Sequence, residues 1–227
     1  MTPAKPMPYE NDAQYLDHEF SWVKAHAAAL DCEKKLADAD RDEGDSAGRM
    51  VGKTTKVAAK DLTRRLAELK AEATAIRSEI DARLAVHRQS KTFTLGFDLL
   101  CESTGLSDEE RKIVLFLTLP AVALQVASDI YAGLGYFGSS FQIGEVVQLL
   151  RPQGVGDWLR CRRMFHVTSP LVRNNVVTQD WPTKNAHPAD LLNATVSLTV
   201  YAFAVVVGEP DLIAEGLPSG GDDSMSN

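Results

Sequence analysis

Residues 105–177 constrain the fold of this chain more than any other part of its sequence. They begin with GLSDEERKIVLFLTLPAVAL, continue with FQIGEVVQLLRP and end with LRCRRMFHVTSPLVRNNVV. Ser107 and Glu110 have the S-x-x-E spacing of a capping box, in which each side chain hydrogen-bonds the backbone N–H of the other at a helix start. The helix that follows is apolar nearly all round, so we predict that it lies at the centre of the core. Pro120 is expected to kink or end this helix.

The segments on either side of this helix predict shorter helices. Residues 93–104 form one of them, and residues 143–150 form another, which Pro152 stops. A further helix is expected to start near Asp157 and to continue to residue 165. Short helices in this order precede two runs that are rich in β-branched residues.

Those two runs, residues 171–179 and 191–198, are the best candidates for strands. A loop that contains prolines, residues 181–188, separates them, as in an antiparallel ribbon with a long wing. Residues 201–207 fit either a strand or a buried helix, because periodicity cannot decide for so short an apolar run. The order of helices and strands predicts a winged-helix-like domain over residues 93–216.

The N-terminal part of the chain predicts a hairpin of two amphipathic helices. Apolar residues recur every three or four positions over residues 16–30 and again over 62–84, which keeps one stripe on one face of each helix. A charged loop at 40–55 joins them, so residues 11–92 are expected to pair as an antiparallel helical hairpin. The predicted fold class is mainly α with a small antiparallel β-ribbon.

Composition predicts a soluble, cytoplasmic chain with no membrane contact. Cys32, Cys101 and Cys161 are odd in number and contain no CxxC pair, which is typical of a reduced cytosolic protein. Every apolar run is shorter than the ~20 residues that a membrane-spanning helix needs. Residues 1–10, with three prolines, are predicted to form a disordered tail, and residues 217–227 a flexible tail or linker.

Charge is distributed unevenly along the chain. The net charge is −7, and the whole acidic excess follows residue 92, because residues 1–92 carry 16 basic and 16 acidic side chains. An acidic total argues against a general binder of polyanions. Residues 151–173 are the exception, with five arginines against the single acid Asp157. These arginines are our candidate contacts for a protein partner or a nucleic acid: Arg151, Arg160, Arg162, Arg163 and Arg173.

Three interpretations of these arginines stay open at this point. In DNA-binding winged helices one helix enters the major groove, and arginines of the wing contact phosphates. The predicted groove helix, QIGEVVQLL, carries Glu145 and no Lys or Arg before Arg151, which favours a protein partner over DNA. Ordinary solvated or salt-bridged arginines are the third interpretation.

Motifs for catalysis or cofactor binding do not match the sequence. The one GK[ST] match is Gly52-Lys53-Thr54, but Ala47 stands where a P-loop needs glycine, and the segment lies between two amphipathic helices. His18 and His26 are too far apart along one helix to be metal ligands on adjacent turns. We therefore expect no metal, no cofactor and no enzymatic activity of the chain itself.

Several segments together resemble the N-terminal winged-helix region of bacterial AAA-type ATPases, some of which accompany contractile injection systems. The resemblance rests on GLSDEERKIVLFLTLP, SPLVRNNVV and LLNATVSLTVYAFAVVVGEPDL, with DAQYLDHEFSWVK in the helical pair. It spans roughly residues 11–215. It implies a non-catalytic region for regulation or partner recognition, because the activity of that family lies in a downstream nucleotide-binding module.

The resemblance makes a protein partner, or that downstream ATPase module, the expected partner. Two alternatives remain. The first is a winged-helix DNA-binding regulator with a coiled-coil dimerisation arm. The second is a structural or assembly protein of an injection apparatus that oligomerises through the hairpin.

Overall fold

The computed structural model describes residues 6–45, 54–90, 92–135, 141–181, 188–209 and 211. It consists mainly of helices, with a small antiparallel sheet and a long helical hairpin, which confirms the predicted fold class. The elements in chain order are α1 (Asp12–Asp45), α2 (Thr54–Ser90), α3 (Gly96–Thr104), α4 (Asp108–Val122), α5 (Leu124–Tyr131), β1 (Phe141–Gln142), α6 (Ile143–Leu149), α7 (Gly154–Arg163), α8 (Pro170–Arg173), β2 (Val177–Asp180), β3 (Thr195–Leu198) and α9 (Val200–Val207). Short 3₁₀ turns occupy Ala132–Leu134 and Pro188–Asn193.

The hairpin helices are longer than the sequence pattern predicted. α1 continues to Asp45 and α2 starts at Thr54, so both extend into the predicted loop 40–55, of which residues 46–53 lie outside the described part. The apolar stripe ends before residue 40, but charged residues and alanine propagate a helix without it. An ion pair between Arg41 and Asp38, 3.6 Å apart and three residues apart in sequence, is of the kind that supports such a surface helix.

The predicted disordered tail is anchored from residue 6 onward. The Tyr9 side chain is buried and packs edge-on against Tyr15. The Arg83 guanidinium of α2 lies 4.1 Å from the centre of the Tyr9 ring and donates from Nε to the Met7 carbonyl at 3.1 Å. This part of the prediction was wrong because a single buried aromatic residue fixes a segment that its proline content made appear loose.

Stacked rings join the hairpin to the rest of the chain. Trp22 and His26 of α1 stack on each other and on Phe116 of α4, with ring centroids 5.0 to 6.1 Å apart. His26 Nε2 also lies 2.8 Å from the Leu149 carbonyl oxygen at the end of α6. The main hydrophobic cluster consequently runs without interruption from the hairpin into the helices that follow it.

The buried carboxylate of Asp98 ties three helices together at the base of the hairpin. Arg88 of α2 donates to it from Nη2 at 2.9 Å, and Arg111 of α4 donates to its other oxygen. Asp98 itself belongs to α3 and is almost fully buried. Two cations compensate the buried charge, and removing either one would leave that charge less well compensated.

α4 is the central helix, as predicted. The Ser107–Glu110 capping box is present, with Glu110 Oε2 accepting from the Ser107 backbone N–H at 2.9 Å. Every residue from 113 to 120 is buried. The helix continues for two residues past Pro120 and breaks at Ala123, which has a φ of −146°. The proline removes one N–H bond, and the helix axis restarts as α5.

The sheet has the order β1-β3-β2, and both pairings are antiparallel. Its strands are shorter than the predicted 171–179 and 191–198. Pro170 and the Ser169 cap start α8, and a 3₁₀ turn covers the residues before β3. Local capping and turn chemistry thus competed successfully with β-branched composition at the start of each run.

Residues 200–207 are helical, which resolves the open choice between strand and helix. Thr199 caps α9 by accepting from the Ala202 N–H at 3.1 Å, and Gly208 ends it in the left-handed conformation. α9 is apolar at every position, yet Val200 and Tyr201 are more than half exposed.

Candidate partner-binding groove

Arg151 is committed to a contact between the hairpin and the domain. It lies just after α6 with a positive φ of 58°, and its guanidinium forms an ion pair with Glu33 of α1. Glu33 also pairs with Lys70 of α2 at 2.7 Å. This arginine therefore serves the internal packing of the chain, and the prediction that it contacts a partner receives no support from its position.

Arg160 is also paired within the chain. It projects from α7 and donates to Glu109 of α4 at 2.6 Å, with Asp157 as a second, longer contact at 3.5 Å. The hydrogen bond from Arg160 is the main cause that lowers the pKa of Glu109 below its ordinary value. Two of the five candidate arginines thus balance acids of the same chain, one of them 118 residues away in sequence.

α6 and α7 follow each other with the spacing of a helix-turn-helix, which favours α7 over α6 as the groove helix. Four residues, 150–153, join the two helices, a connection length that is typical of the motif. In DNA-binding members the second helix is the one that enters the major groove. That position belongs to α7, whereas α6 buries Ile143, Val146, Val147 and Leu149, and its Glu145 side chain caps its own N-terminus. Burial of these side chains marks α6 as a core helix, so its position gives no support to the prediction that it enters a groove.

The strand pair β2–β3 forms the wing. An exposed groove lies between α7 and the part of the wing where β2 ends. Its volume is about 390 Å³, at the lower end of the ~300–1,000 Å³ typical of ligand pockets. Three large apolar side chains in it remain open to solvent: Leu159 is 48% exposed, Val167 69% and Trp181 42%. The described residues that line the groove are Leu159, Arg162, Arg163, Phe165, His166, Val167, Gln179, Trp181 and Leu191. We call this surface the α7–wing groove.

Side-chain contacts fix the walls of the α7–wing groove. Gln179 of β2 donates from Nε2 to the Phe165 carbonyl at 2.7 Å, which ties the strand to the segment after α7. Phe165 is fully buried beneath it and Leu191 is nearly so. An apolar floor beside three exposed apolar side chains is suited to holding one or two large apolar side chains of another molecule.

The rim of the groove is basic. Arg162 and Arg163 are its only charged residues among those described, apart from the imidazole of His166, and no carboxylate is among the described lining. Arg163 is exposed and forms no ion pair with a residue that the structure describes. Arg173, at the end of α8, is also exposed but does not line the groove. The five predicted arginines therefore divide into two internal pairs, two groove residues and one separate surface residue.

Three groups with catalytic potential, two thiols and one imidazole, are buried in the packing of the described part of the chain. Cys101 and Cys161 are buried, and burial raises the pKa of the Cys101 thiol to about 12. Burial also lowers the pKa of His26, whose ring is stacked in the core. No group of three or more His, Cys, Asp or Glu among the described residues is placed to hold a metal ion. The GK[ST] match at 52–54 falls outside the described residues except for Thr54.

Sequence reasoning found the arginines of the groove but missed its apolar part. The sequence pattern places Trp181 in a loop and Leu159 in a helix, but it does not indicate which face of the helix Leu159 occupies. The available signal was an aromatic residue directly after a strand run, next to the basic segment. It became meaningful only once β2 was placed beside α7.

None of the described helices combines the length and the apolar character that crossing a membrane requires.

No curated protein and no solved structure matches the chain. A family model described as "Winged helix domain, variant" matches residues 1–218, and the helix-turn-helix, three-stranded sheet and wing strands agree with that description. The chain belongs to this family of variant winged helix domains.

Proposed function

We propose that this chain is a non-catalytic module for recognising a protein partner, acting as an N-terminal regulatory or substrate-adaptor region of an AAA-type ATPase. The α7–wing groove is its partner-binding surface. The hairpin, fixed to the domain by the ring stack of Trp22, His26 and Phe116, holds this surface in a defined orientation. ATP turnover would be the work of a separate nucleotide-binding module.

One observation carries the proposal: α7 and the segment after it expose apolar side chains where a DNA-binding helix would be polar. Leu159 is 48% exposed on the helix that would enter the major groove, and Val167, which follows that helix, is 69% exposed. DNA-reading helices present hydrogen-bonding side chains to base edges at these positions. Exposed apolar side chains next to an arginine are typical of the centre of protein interfaces.

A second candidate function, binding of duplex DNA, is favoured by a different observation. α7 occupies the position of a recognition helix, and three of the five arginines are on it. Phosphate contacts by arginine stabilise such complexes without regard to sequence. The acidic net charge of −7 and the internal pairing of Arg160 weigh against this candidate.

A photo-crosslinking experiment in the source cells separates the two candidates. p-Benzoylphenylalanine replaces Val167 in the groove in one variant and Val155, outside the groove lining, in the matched control. We expect Val167 to give a discrete protein adduct that the control does not give. Duplex DNA in a groove-helix complex would be contacted at Val155, so adducts to DNA from that position would contradict the proposal and support the second candidate.

The ATPase part of the proposal has its own test. The purified chain should release no phosphate from ATP above the buffer control, at any ATP concentration. A saturable rate that persists through repurification would contradict a non-catalytic role. Identification of the Val167 adduct by mass spectrometry would show whether the partner is an ATPase module or a separate protein.

A further inference from the structure

We infer that the α7–wing groove takes an acidic peptide segment with one large apolar anchor residue. This inference rests on the proposed function and names the chemistry of the partner. Three features of the groove carry it: its size, the apolar side chains within it, and the sign of the charge on its rim.

The size of the groove limits what enters it. A volume of about 390 Å³ accommodates one or two side chains and excludes a folded domain. The partner therefore contributes a projecting segment. Trp181 and Leu159 offer a flat ring and an aliphatic wall, which together suit an aromatic or long aliphatic anchor. Burying such an anchor removes exposed apolar surface of Trp181 and Leu159 from water.

The rim charge selects the residues that flank the anchor. Arg163 is exposed among the lining residues, and the described lining has no carboxylate to repel an acid or attract a base. Aspartate or glutamate beside the anchor would meet a guanidinium at the edge of a low-dielectric surface, where charge-assisted hydrogen bonds are strong. Lysine or arginine in the same place would be repelled.

A concave apolar floor distinguishes a peptide from a nucleic acid as the occupant. Single strands bind by stacking successive bases on exposed aromatic platforms along a basic track. Trp181 is the one exposed Phe, Tyr or Trp ring of the described lining, because Phe165 is buried, so this lining offers no row of stacking platforms. The chemistry fits a single apolar anchor with acidic neighbours.

The test uses fluorescence anisotropy with the full chain and four labelled probes. The first is a short peptide with a central phenylalanine flanked by aspartates and glutamates. The second replaces the acids with lysines, the third replaces the phenylalanine with alanine, and the fourth is a duplex DNA. We expect binding of the first probe only, together with a blue shift in the emission of Trp181 that Trp181→Phe removes.

Matched variants locate the site. Arg163→Glu should weaken binding of the acidic peptide by at least about fivefold, as expected for reversal of a rim charge. Arg173→Glu, an exposed arginine outside the groove, should leave it unchanged. Val167→Asp should weaken it by about tenfold, since it places a charge in the apolar contact. Each of these side chains is exposed, so circular dichroism should show a native fold in all three.

The outcomes separate failure of this inference from failure of the proposed function. Binding of the lysine peptide, or of no peptide while Val167 still crosslinks to a protein, overturns the acidic-anchor inference alone. Binding of duplex DNA that Arg163→Glu abolishes, without protein adducts from Val167, overturns both. An equal loss with Arg163→Glu and Arg173→Glu would place the site outside the groove and also refute the inference.

Discussion

The close crossing of α3 and α9 makes Gly96→Ala the most informative single substitution for the fold. A Cβ at Gly96 would lie 1.8 Å from the Val205 carbonyl oxygen, about 1.6 Å short of the 3.4 Å at which ordinary van der Waals contact begins. The obstacle is backbone, so no side-chain rotation relieves it. α3 and α9 would have to separate, opening the packing around Phe97 and Ala202.

The same substitution disturbs a charged hydrogen bond. The Gly96 N–H donates to Asp12 Oδ1 at 2.6 Å, which links the start of α1 to the start of α3. Overpacking costs about 1–3 kcal/mol and a hydrogen bond to a charged group contributes about 1.5–3 kcal/mol, so we expect a loss of roughly 3–5 kcal/mol. For a chain of this size each kcal/mol lowers Tm by about 2–4 °C, which places the variant roughly 6–20 °C below the wild type.

Two other glycines provide controls in the same urea and thermal unfolding experiments. Gly156→Ala should be neutral or stabilise by up to about 1 kcal/mol, because nothing lies within 4 Å of its Cβ and it is inside α7. Gly105→Ala also meets no neighbour, but its φ of +67° should cost about 1 kcal/mol. A loss below about 1 kcal/mol for Gly96→Ala would refute the tight α3–α9 crossing.

Three further predictions concern buried ionisable groups. Glu19 accepts from the Tyr15 hydroxyl at 2.7 Å and pairs with Arg77. Glu19→Ala should lower the free energy of unfolding by about 3 kcal/mol. This is the lower end of the range for a broken buried pair, because Arg77 is a third exposed. Burial raises the pKa of Glu19, so the contribution of this carboxyl to stability falls as pH rises above about 4.5. The wild type should therefore lose stability relative to Glu19→Gln over that rise. A difference in urea unfolding that stays constant with pH would contradict this. Cys101 and Cys161, buried with raised thiol pKa values, should react with Ellman's reagent only after denaturation, and fast labelling of the native chain would be inconsistent with their packing.

Local rules predicted the parts of the fold that are decided within a few residues. The Ser107 capping box, the central position of α4 and the pairing of α1 with α2 all follow from residue spacing, and the structure has them. Tyr9 and α9 could not be predicted in this way. The burial of Tyr9 depends on Arg83, 74 residues further along the chain, and α9 differs from a strand only in its Thr199 cap and Gly208 stop.

The candidate site shows the same division between local and distant information. The five arginines are visible as a composition bias. Two of them pair with Glu33 and Glu109, which belong to helices that lie far away in sequence. Which arginines remain available is therefore a property of the tertiary structure. The apolar part of the groove likewise forms only where Trp181 of the wing meets Leu159 of α7.

The number of available cations favours one of the two proposed classes of partner. Within the described part of the strip, Arg163 and Arg173 are exposed and outside the internal ion pairs, and Arg162 adds a third charge at most. For a protein that neutralises Z phosphates of duplex DNA, the logarithm of the affinity falls with the logarithm of the salt concentration with a slope of about −0.9Z. Three contacts therefore give a slope of only about −3. A strip this small, on a chain with a net charge of −7, would add little electrostatic attraction for DNA, whereas one or two arginines beside an apolar groove suit the acidic peptide that we propose.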